Sequence, residues 1–99
     1  MIKVHWTNRA KARLRLIHQY IAEDSPKSAL QVVDRVTARS QQLAELPRSG
    51  RQVPEYQRND IRELLEKPYR IIYKIKSDQI DVLTIMHYRQ LLPQDIEKL

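Results

Sequence analysis

The segment Tyr69-Arg70-Ile71-Ile72-Tyr73-Lys74-Ile75 alternates along its length in the way typical of a half-buried β-strand. Successive side chains of a strand point to opposite faces, so its four odd-numbered residues share one face. We predict that this face packs against helices and that Arg70, Ile72 and Lys74 face away from them.

Two further segments with the same two-residue period flank this strand, at residues 61–65 and 80–86. Breaks at Lys67-Pro68 and Ser77-Asp78 separate the three segments. The pattern therefore predicts three consecutive strands joined by two hairpins.

The lengths of the two turns set the predicted register. If the first turn is symmetric about Lys67, Arg62 pairs with Ile72. A two-residue second turn pairs Arg70 with Ile85.

On this register, the face away from the helices carries the cationic candidates Arg62, Arg70 and His87, with Arg89 just beyond the strand. The same face is predicted to carry Leu64, Ile72, Leu83 and Ile85. We therefore expect an outer face that is half apolar and half cationic and that needs a partner.

The amino-terminal half shows the period of two amphipathic helices. Apolar residues from Ala10 to Ile21 recur at spacings of three and four, after a candidate helix cap at Thr7-Asn8. Ser25 and Pro26 suit the cap and first position of a second helix, which we expect to run to Pro47.

A short strand containing Val4 and Trp6 precedes the helices. The predicted fold class is α+β in the order β-α-α-β-β-β, with a helical hairpin packed on a small antiparallel sheet. At 99 residues, the chain is expected to form a single domain spanning residues 1–99.

Composition excludes several kinds of site. The chain has no cysteine, so it forms neither disulfides nor thiolate metal sites, and its one glycine, Gly50, cannot build a phosphate-binding glycine loop. His5, His18 and His87 lack the spacing of a helical metal site. We expect no metal, no cofactor and no membrane segment, and we expect a cytoplasmic location because no signal peptide is recognisable.

Net charge leaves the type of partner open. Lys plus Arg total 18 against 12 Asp plus Glu, a net charge of +6, which fits nucleic-acid contact, an acidic protein partner or plain solubility. The helix cations are most simply interpreted as solvated faces; they are Arg9, Lys11, Arg13, Arg35 and Arg39. His87 is a candidate for acid–base chemistry, or alternatively a packing residue at a strand end.

Several segments resemble a known family when taken together. In the amino-terminal half they are Trp6-Thr7, Tyr20-Ile21-Ala22-Glu23-Asp24-Ser25-Pro26 and the stretch from Leu46 to Glu55. In the carboxyl-terminal half they are Ile61-Arg62-Glu63-Leu64, Tyr69-Arg70-Ile71-Ile72-Tyr73 and His87-Tyr88-Arg89. In this order they resemble the ParE branch of the RelE/ParE superfamily of bacterial type II toxins, over residues 4–93.

The resemblance implies a toxin that arrests growth and is neutralised by a ParD-like antitoxin. It also implies that the target is DNA gyrase, which the toxin stabilises on cleaved DNA as a stoichiometric poison without a catalytic centre. DNA itself would be contacted only through the antitoxin or gyrase. The implied toxicity candidates are Arg62, Arg70, His87 and Arg89.

The RelE branch, which cleaves mRNA in the ribosome, is the alternative. Such a nuclease needs cations for the scissile phosphate together with a general base and acid. The residues available for these roles would be Arg62, Arg70 and Arg89 as cations, the pair His87-Tyr88 as acid and stacking groups, and Glu55 as base. The segment after Arg89 has no tyrosine or histidine, which favours the ParE branch.

Overall fold

The computed structural model describes residues 1–99. Its strands and helices are β1 (Lys3–Trp6), α1 (Asn8–Ala22), α2 (Pro26–Gln41), β2 (Arg51–Gln52), β3 (Ile61–Glu66), β4 (Tyr69–Ile75) and β5 (Gln79–His87). Gln42–Ala44 and Ile96–Lys98 form short 3₁₀ helices. The predicted α+β class, a helical hairpin on a small sheet, is confirmed.

Both helices begin at the predicted caps. The Thr7 hydroxyl accepts a hydrogen bond from the Ala10 amide at 3.1 Å, and the Ser25 hydroxyl accepts one from the Ser28 amide at 3.1 Å. Helix α2 ends earlier than Pro47, and the chain continues directly into the first 3₁₀ helix. No helix combines the length and the apolar character needed to cross a membrane.

The five strands form one mixed sheet in the order β1-β5-β4-β3-β2. Strand β1 runs parallel to β5, while all other pairs are antiparallel, so the sheet is mixed and not wholly antiparallel as predicted. The parallel pair arises because the helical hairpin lies between β1 and the rest of the sheet along the chain. Strand β2 has only two residues, and the sequence pattern did not predict it.

The helices cover the predicted face of β4. Ile71 and Tyr73 are fully buried in a cluster with Val36 of α2, and Tyr69 and Ile75 pack at its margin. This cluster is the main core of the molecule and fixes the helices on one side of the sheet.

The predicted register of the first hairpin is wrong by one residue. The turn between β3 and β4 has two residues, Lys67 and Pro68, so Arg62 pairs with Tyr73 and Leu64 pairs with Ile71. A shift of one residue exchanges the two faces of a strand. Arg62 and Leu64 therefore lie on the helix side of the sheet, opposite to Arg70.

The second hairpin begins with the predicted two-residue turn and then departs from the prediction. Next to the turn, Tyr73 pairs with Val82 as expected, but a register shift beyond this pair leaves Leu83 without a partner. Consequently Ile71, not Arg70, pairs with Ile85, and His87 pairs with Tyr69 on the helix side. Ile85 and His87 were predicted on the outer face, and this is also wrong.

The chain itself covers much of the outer face. Ile61, Ile72 and Met86 form a second buried cluster with Val53. Partly buried side chains from a loop, the β5 bulge and the carboxyl-terminal tail pack against this cluster; they are Tyr56, Leu83, Leu92, Ile96 and Leu99. The expectation that this face needs a partner to cover its apolar half is therefore wrong.

Candidate functional site

A groove of about 850 Å³ lies on the outer side of the sheet, beside the turn between β3 and β4. We call it the outer-face groove. It is lined by Arg51, Pro54, Glu55, Leu65, Lys67, Pro68, Tyr69, Arg70 and Tyr88. Of the residues that the sequence analysis selected, it contains Glu55, Arg70 and Tyr88.

Arg70 is the most buried cation of this groove, with 6% of its surface exposed. Its two terminal nitrogens donate to the two carboxylate oxygens of Glu55, both at 2.9 Å. Its Nε donates to Oε1 of Glu63 at 2.5 Å. The guanidinium group is therefore engaged along both of its hydrogen-bonding edges, in the geometry that arginine and carboxylates prefer.

Glu63 joins two arginines across the sheet. It is 1% exposed, and its second oxygen, Oε2, accepts a hydrogen bond from Nε of Arg51 at 2.6 Å. Burial of a carboxylate is costly without compensating charges, and here the two guanidinium groups supply them. Glu63 was not among the site residues predicted from the sequence. The correct two-residue turn would have placed it on the outer face, directly opposite Ile72.

Arg70 and Glu55 stabilise each other's charged forms. The hydrogen bonds from Arg70 lower the pKa of Glu55 below the ordinary carboxyl value. The hydrogen bonds to Glu55 in turn raise the pKa of Arg70 above its ordinary value. Glu55 is therefore a weak proton acceptor, whereas a general base works best with a pKa near the operating pH.

Arg62 holds a loop on the other side of the sheet. Its Nη1 donates to the Gly50 carbonyl at 2.9 Å, and its Nε donates to the Asn59 carbonyl at 3.0 Å. Its Nη2 donates to the Asn59 side-chain oxygen at 2.6 Å. These contacts tie Gly50, just before β2, to Asn59, in the loop that leads into β3. Arg62 therefore has a structural position and does not contribute to the outer-face groove.

Gly50 allows the chain to pass close to the sheet. A Cβ at this position would lie 2.5 Å from the Glu63 carbonyl oxygen and 2.7 Å from the Tyr73 hydroxyl. The Gly50 amide donates to that hydroxyl at 3.0 Å, and the hydroxyl donates to the Pro47 carbonyl at 2.9 Å. Close approach, and not a left-handed backbone, is therefore what requires glycine here.

His87, Tyr88 and Arg89 form an aromatic and cationic cluster at the end of β5. The rings of His87 and Tyr88 stack with centroids 4.8 Å apart, and the Arg89 guanidinium lies 5.9 Å from the Tyr88 ring centroid. Nδ1 of His87 accepts a hydrogen bond from the Arg89 amide at 3.1 Å. Tyr88 is 53% exposed and Arg89 is also exposed, so this cluster offers contacts to another molecule.

An apolar groove of about 260 Å³ separates α1 from the sheet near this cluster. We call it the helix–sheet groove. Leu16 and Tyr20 stand on its helix side with 57% and 76% of their surfaces exposed, and Tyr69 and His87 line its sheet side. Two large apolar side chains one turn apart on an exposed helix face are a feature of protein-binding surfaces.

The histidines lie apart in the structure. His5 lies on β1, where its Nδ1 is 3.3 Å from Asp81, and no three metal-binding side chains come together anywhere in the chain. The predicted site residues thus divide into three groups: Arg70 with Glu55 in the outer-face groove, Arg62 on the helix side, and the cluster at the end of β5.

Comparison with known proteins identifies the family of this chain. A family model described as the ParE toxin of the type II toxin–antitoxin system, parDE, matches residues 4–92, which is nearly the whole chain. The chain belongs to the ParE toxin family. A relative from Sinorhizobium fredii (strain NBRC 101917 / NGR234), named "Putative toxin Y4kP", is 40% identical over 94 residues and covers 93% of this chain and 94% of its own.

Solved structures give the same answer for the fold of this ParE family member. The structure of the chromosomal ParDE TA system from P. aeruginosa superposes with a TM-score of 0.73 at 27% identity, over 88% of this chain and 96% of that chain. The toxin–antitoxin complex RelBE2 from Mycobacterium tuberculosis superposes with a TM-score of 0.56 at 17% identity, over 90% and 93% of the two chains. This second likeness concerns the fold alone.

Proposed function

We propose that this ParE-family toxin inhibits DNA gyrase by binding, without cleaving a substrate itself. In this proposal the toxin stabilises gyrase on cleaved DNA and thereby blocks replication and growth. Membership of the ParE family supports the target. The observation that carries the non-enzymatic part is the pairing of Arg70 with both Glu55 and Glu63.

A nuclease of the RelE type would need a cation free to bind the scissile phosphate. Arg70 is paired with two carboxylates. Arg62 lies on the opposite face, where its guanidinium donates a hydrogen bond to the Gly50 carbonyl. Glu55, the candidate base, has a lowered pKa because Arg70 stabilises its charged form. These three residues are therefore poorly arranged for phosphodiester cleavage.

The residues that we assign to gyrase contact are those left exposed at the end of β5. Tyr88 and Arg89 are exposed and follow His87 directly, and Tyr88 also lines the outer-face groove. Aromatic residues and arginine are the side chains that most often dominate binding energy at interfaces. Arg89 is the strongest remaining member of the four toxicity candidates.

We also propose that a ParD-like antitoxin neutralises the toxin through the helix–sheet groove. The groove offers the apolar side chains of Leu16 and Tyr20, to which an amphipathic segment can bind. The toxin carries a net charge of +6, so an acidic segment would be attracted to it. The P. aeruginosa structure is of a ParDE system, which supports a partner of this class.

Ribosome-dependent mRNA cleavage is the second candidate. It is favoured by the stacked pair His87 and Tyr88 next to Arg89, which could supply an acid, a stacking platform and a cation. The test is to add purified toxin to gyrase with supercoiled plasmid and ATP, and to translating ribosomes with mRNA. Lost supercoiling and accumulated cleaved DNA, without message cleavage, are expected. Message cleavage without any effect on gyrase would contradict the proposal.

A further inference from the structure

The first half of α1 carries four cations without an ionic partner in the chain. Arg9, Lys11, Arg13 and Arg15 occupy alternate positions, and all four are exposed. None forms an ion pair, although Arg51 and Arg70 in the sheet each pair with a carboxylate. The whole helix from Asn8 to Ala22 has no acidic residue.

The position of Arg9 is unfavourable for the helix itself. The amino-terminal end of a helix carries a partial positive charge, so acidic residues stabilise it and basic residues do not. The first turn of α1 has no acidic residue, and Arg9 lies in it. Arg9 therefore does not stabilise the end of the helix at which it lies, and none of the four cations is held by an ion pair within the chain.

Helix geometry sorts the four cations into two rows. At about 100° per residue, Arg9 and Arg13 lie on one flank, and Lys11 and Arg15 lie on the other, with roughly 160° between the two rows. Ala10, Leu14 and Ile17 fill the sector between the rows that packs against the core. The opposite sector, which faces solvent, begins with the small side chains of Asn8 and Ala12.

The two rows match the dimensions of a DNA groove. A helix with its side chains is about 10–12 Å wide, and the major groove of B-form DNA is about 12 Å wide. Within each row the cations are about 6 Å apart along the axis, which follows from a rise of 1.5 Å per residue. A helix in this position directs one cationic row to each phosphate strand, with the small side chains of Asn8 and Ala12 toward the groove.

More cations extend one of the two rows. A cavity of about 360 Å³ brings Arg9 together with Lys74 of β4, Lys76 just after β4 and Arg58 of the loop before β3. Two carboxylates, Asp81 and Glu97, also line it, so cations outnumber them by four to two. Lys76 pairs with Asp81 at 2.7 Å and Arg58 pairs with Asp60 at 2.7 Å, whereas Lys74, like Arg9, has no ion pair. The positive surface therefore continues past the end of the helix and favours a long polyanion over a short acidic peptide.

We propose that the amino-terminal half of α1 binds the phosphate backbone of duplex DNA, with one row of cations on each side of a groove. The role of this contact rests on the proposed function, because DNA held by gyrase is the duplex that the toxin would meet. Binding is expected to depend on backbone charge and not on base sequence, since phosphate contacts carry no sequence information.

The test measures binding of purified toxin to a fluorescein-labelled 20-base-pair duplex by anisotropy over a range of salt concentrations. The stripe variant replaces Arg9, Lys11, Arg13 and Arg15 with Gln. The matched control replaces Lys3, Lys27, Arg48 and Lys98 with Gln, since these four cations also lack ion pairs and are exposed. Both variants lose four charges, so net charge alone cannot distinguish them.

We expect the stripe variant to bind at least tenfold more weakly than the control. Each phosphate contact contributes about 0.9 to the slope of log K against log salt, so the loss of four contacts should make the slope of the stripe variant shallower by up to about 3.6. Equal losses in both variants, or no binding by the unmodified toxin, would overturn the proposal. It would also be overturned if the stripe variant lost only antitoxin binding, because the surface would then serve an acidic protein.

A gyrase supercoiling assay with unmodified toxin separates this inference from the proposed function. Absence of gyrase inhibition contradicts the proposed function, while the anisotropy result still decides whether α1 binds DNA. Conversely, the stripe variant could inhibit gyrase fully while both variants bind DNA equally well. That result would overturn only the role assigned to α1.

Discussion

Arg70 and Glu55 form a two-pronged ion pair in which both terminal nitrogens of the arginine lie 2.9 Å from the carboxylate oxygens. The pair closes one side of the outer-face groove, and Glu63 continues it into the sheet. An arginine held in this way stabilises the loop after β2 against the sheet. It is not available for a substrate phosphate, and this is the structural basis for the non-enzymatic function that we propose.

Removing Glu63 is expected to destabilise the fold. Glu63→Ala leaves Arg51 without its carboxylate and Arg70 with Glu55 alone, and breaking a buried pair of this kind costs about 3 kcal/mol. For a domain of this size, that loss lowers Tm by roughly 12–24 °C. Thermal unfolding followed by circular dichroism measures it. Glu45→Ala, at an exposed carboxylate without an ion pair, should leave Tm nearly unchanged, and equal effects of the two substitutions would contradict the assignment.

Acid should weaken the contact between Glu55 and Arg70. The pKa of Glu55 is lowered in the folded state, so its contribution to stability is complete above its ordinary value of 4.5 and is lost as the pH falls through the folded value. Glu55→Gln removes this contribution. We therefore expect a smaller decrease in Tm for Glu55→Gln than for the unmodified toxin between about pH 5 and about pH 3. Parallel decreases would show that the pair does not link folding to pH.

Two arginines among the toxicity candidates should behave differently. Arg62→Ala removes three hydrogen bonds, one to Gly50 before β2 and two to Asn59 before β3, so it should cost about 1–3 kcal/mol of folding stability. Arg89→Ala should change stability by less than about 0.5 kcal/mol because its side chain is exposed. Gyrase inhibition measured on correctly folded protein should decrease for Arg89→Ala. Full inhibition by that variant would remove Arg89 from the proposed contact surface.

Antitoxin binding should depend on the helix–sheet groove. Leu16→Asp introduces a charge into its apolar wall, and we expect the affinity for the antitoxin encoded with the toxin to decrease at least about tenfold. Leu30→Asp is the matched control, since Leu30 is 58% exposed on α2 and Leu16 is 57% exposed on α1. Isothermal titration calorimetry compares them. Equal affinities of the two variants would place the antitoxin elsewhere.

Local patterns were sufficient to predict both helices and four of the five strands of this fold. The caps at Thr7 and Ser25 and the alternation in β4 depend on neighbouring residues, and all three were predicted correctly. The parallel pairing of β1 with β5 and the two-residue strand β2 depend on distant parts of the chain, which a local pattern does not contain.

The site was predicted less well because a single residue of register exchanges the faces of a strand. The prediction assumed a turn centred on Lys67, whereas the turn consists of the two residues Lys67 and Pro68. This difference places Arg62 on the helix side and Glu63 on the outer side. An unpaired residue in β5, Leu83, then moved His87 to the helix side. Arg70 was placed correctly, since the alternation of its own strand determines its face.

The most direct measurement is a titration of toxin against a fixed concentration of gyrase on supercoiled plasmid with ATP. A stoichiometric inhibitor produces cleaved DNA in proportion to the toxin added. The amount of cleaved DNA stops increasing near one toxin for each binding site on gyrase. We expect this saturation, with Arg89→Ala shifting it to higher concentrations. Complete loss of gyrase function at toxin concentrations far below that of the enzyme, or no effect at any concentration, would contradict the account.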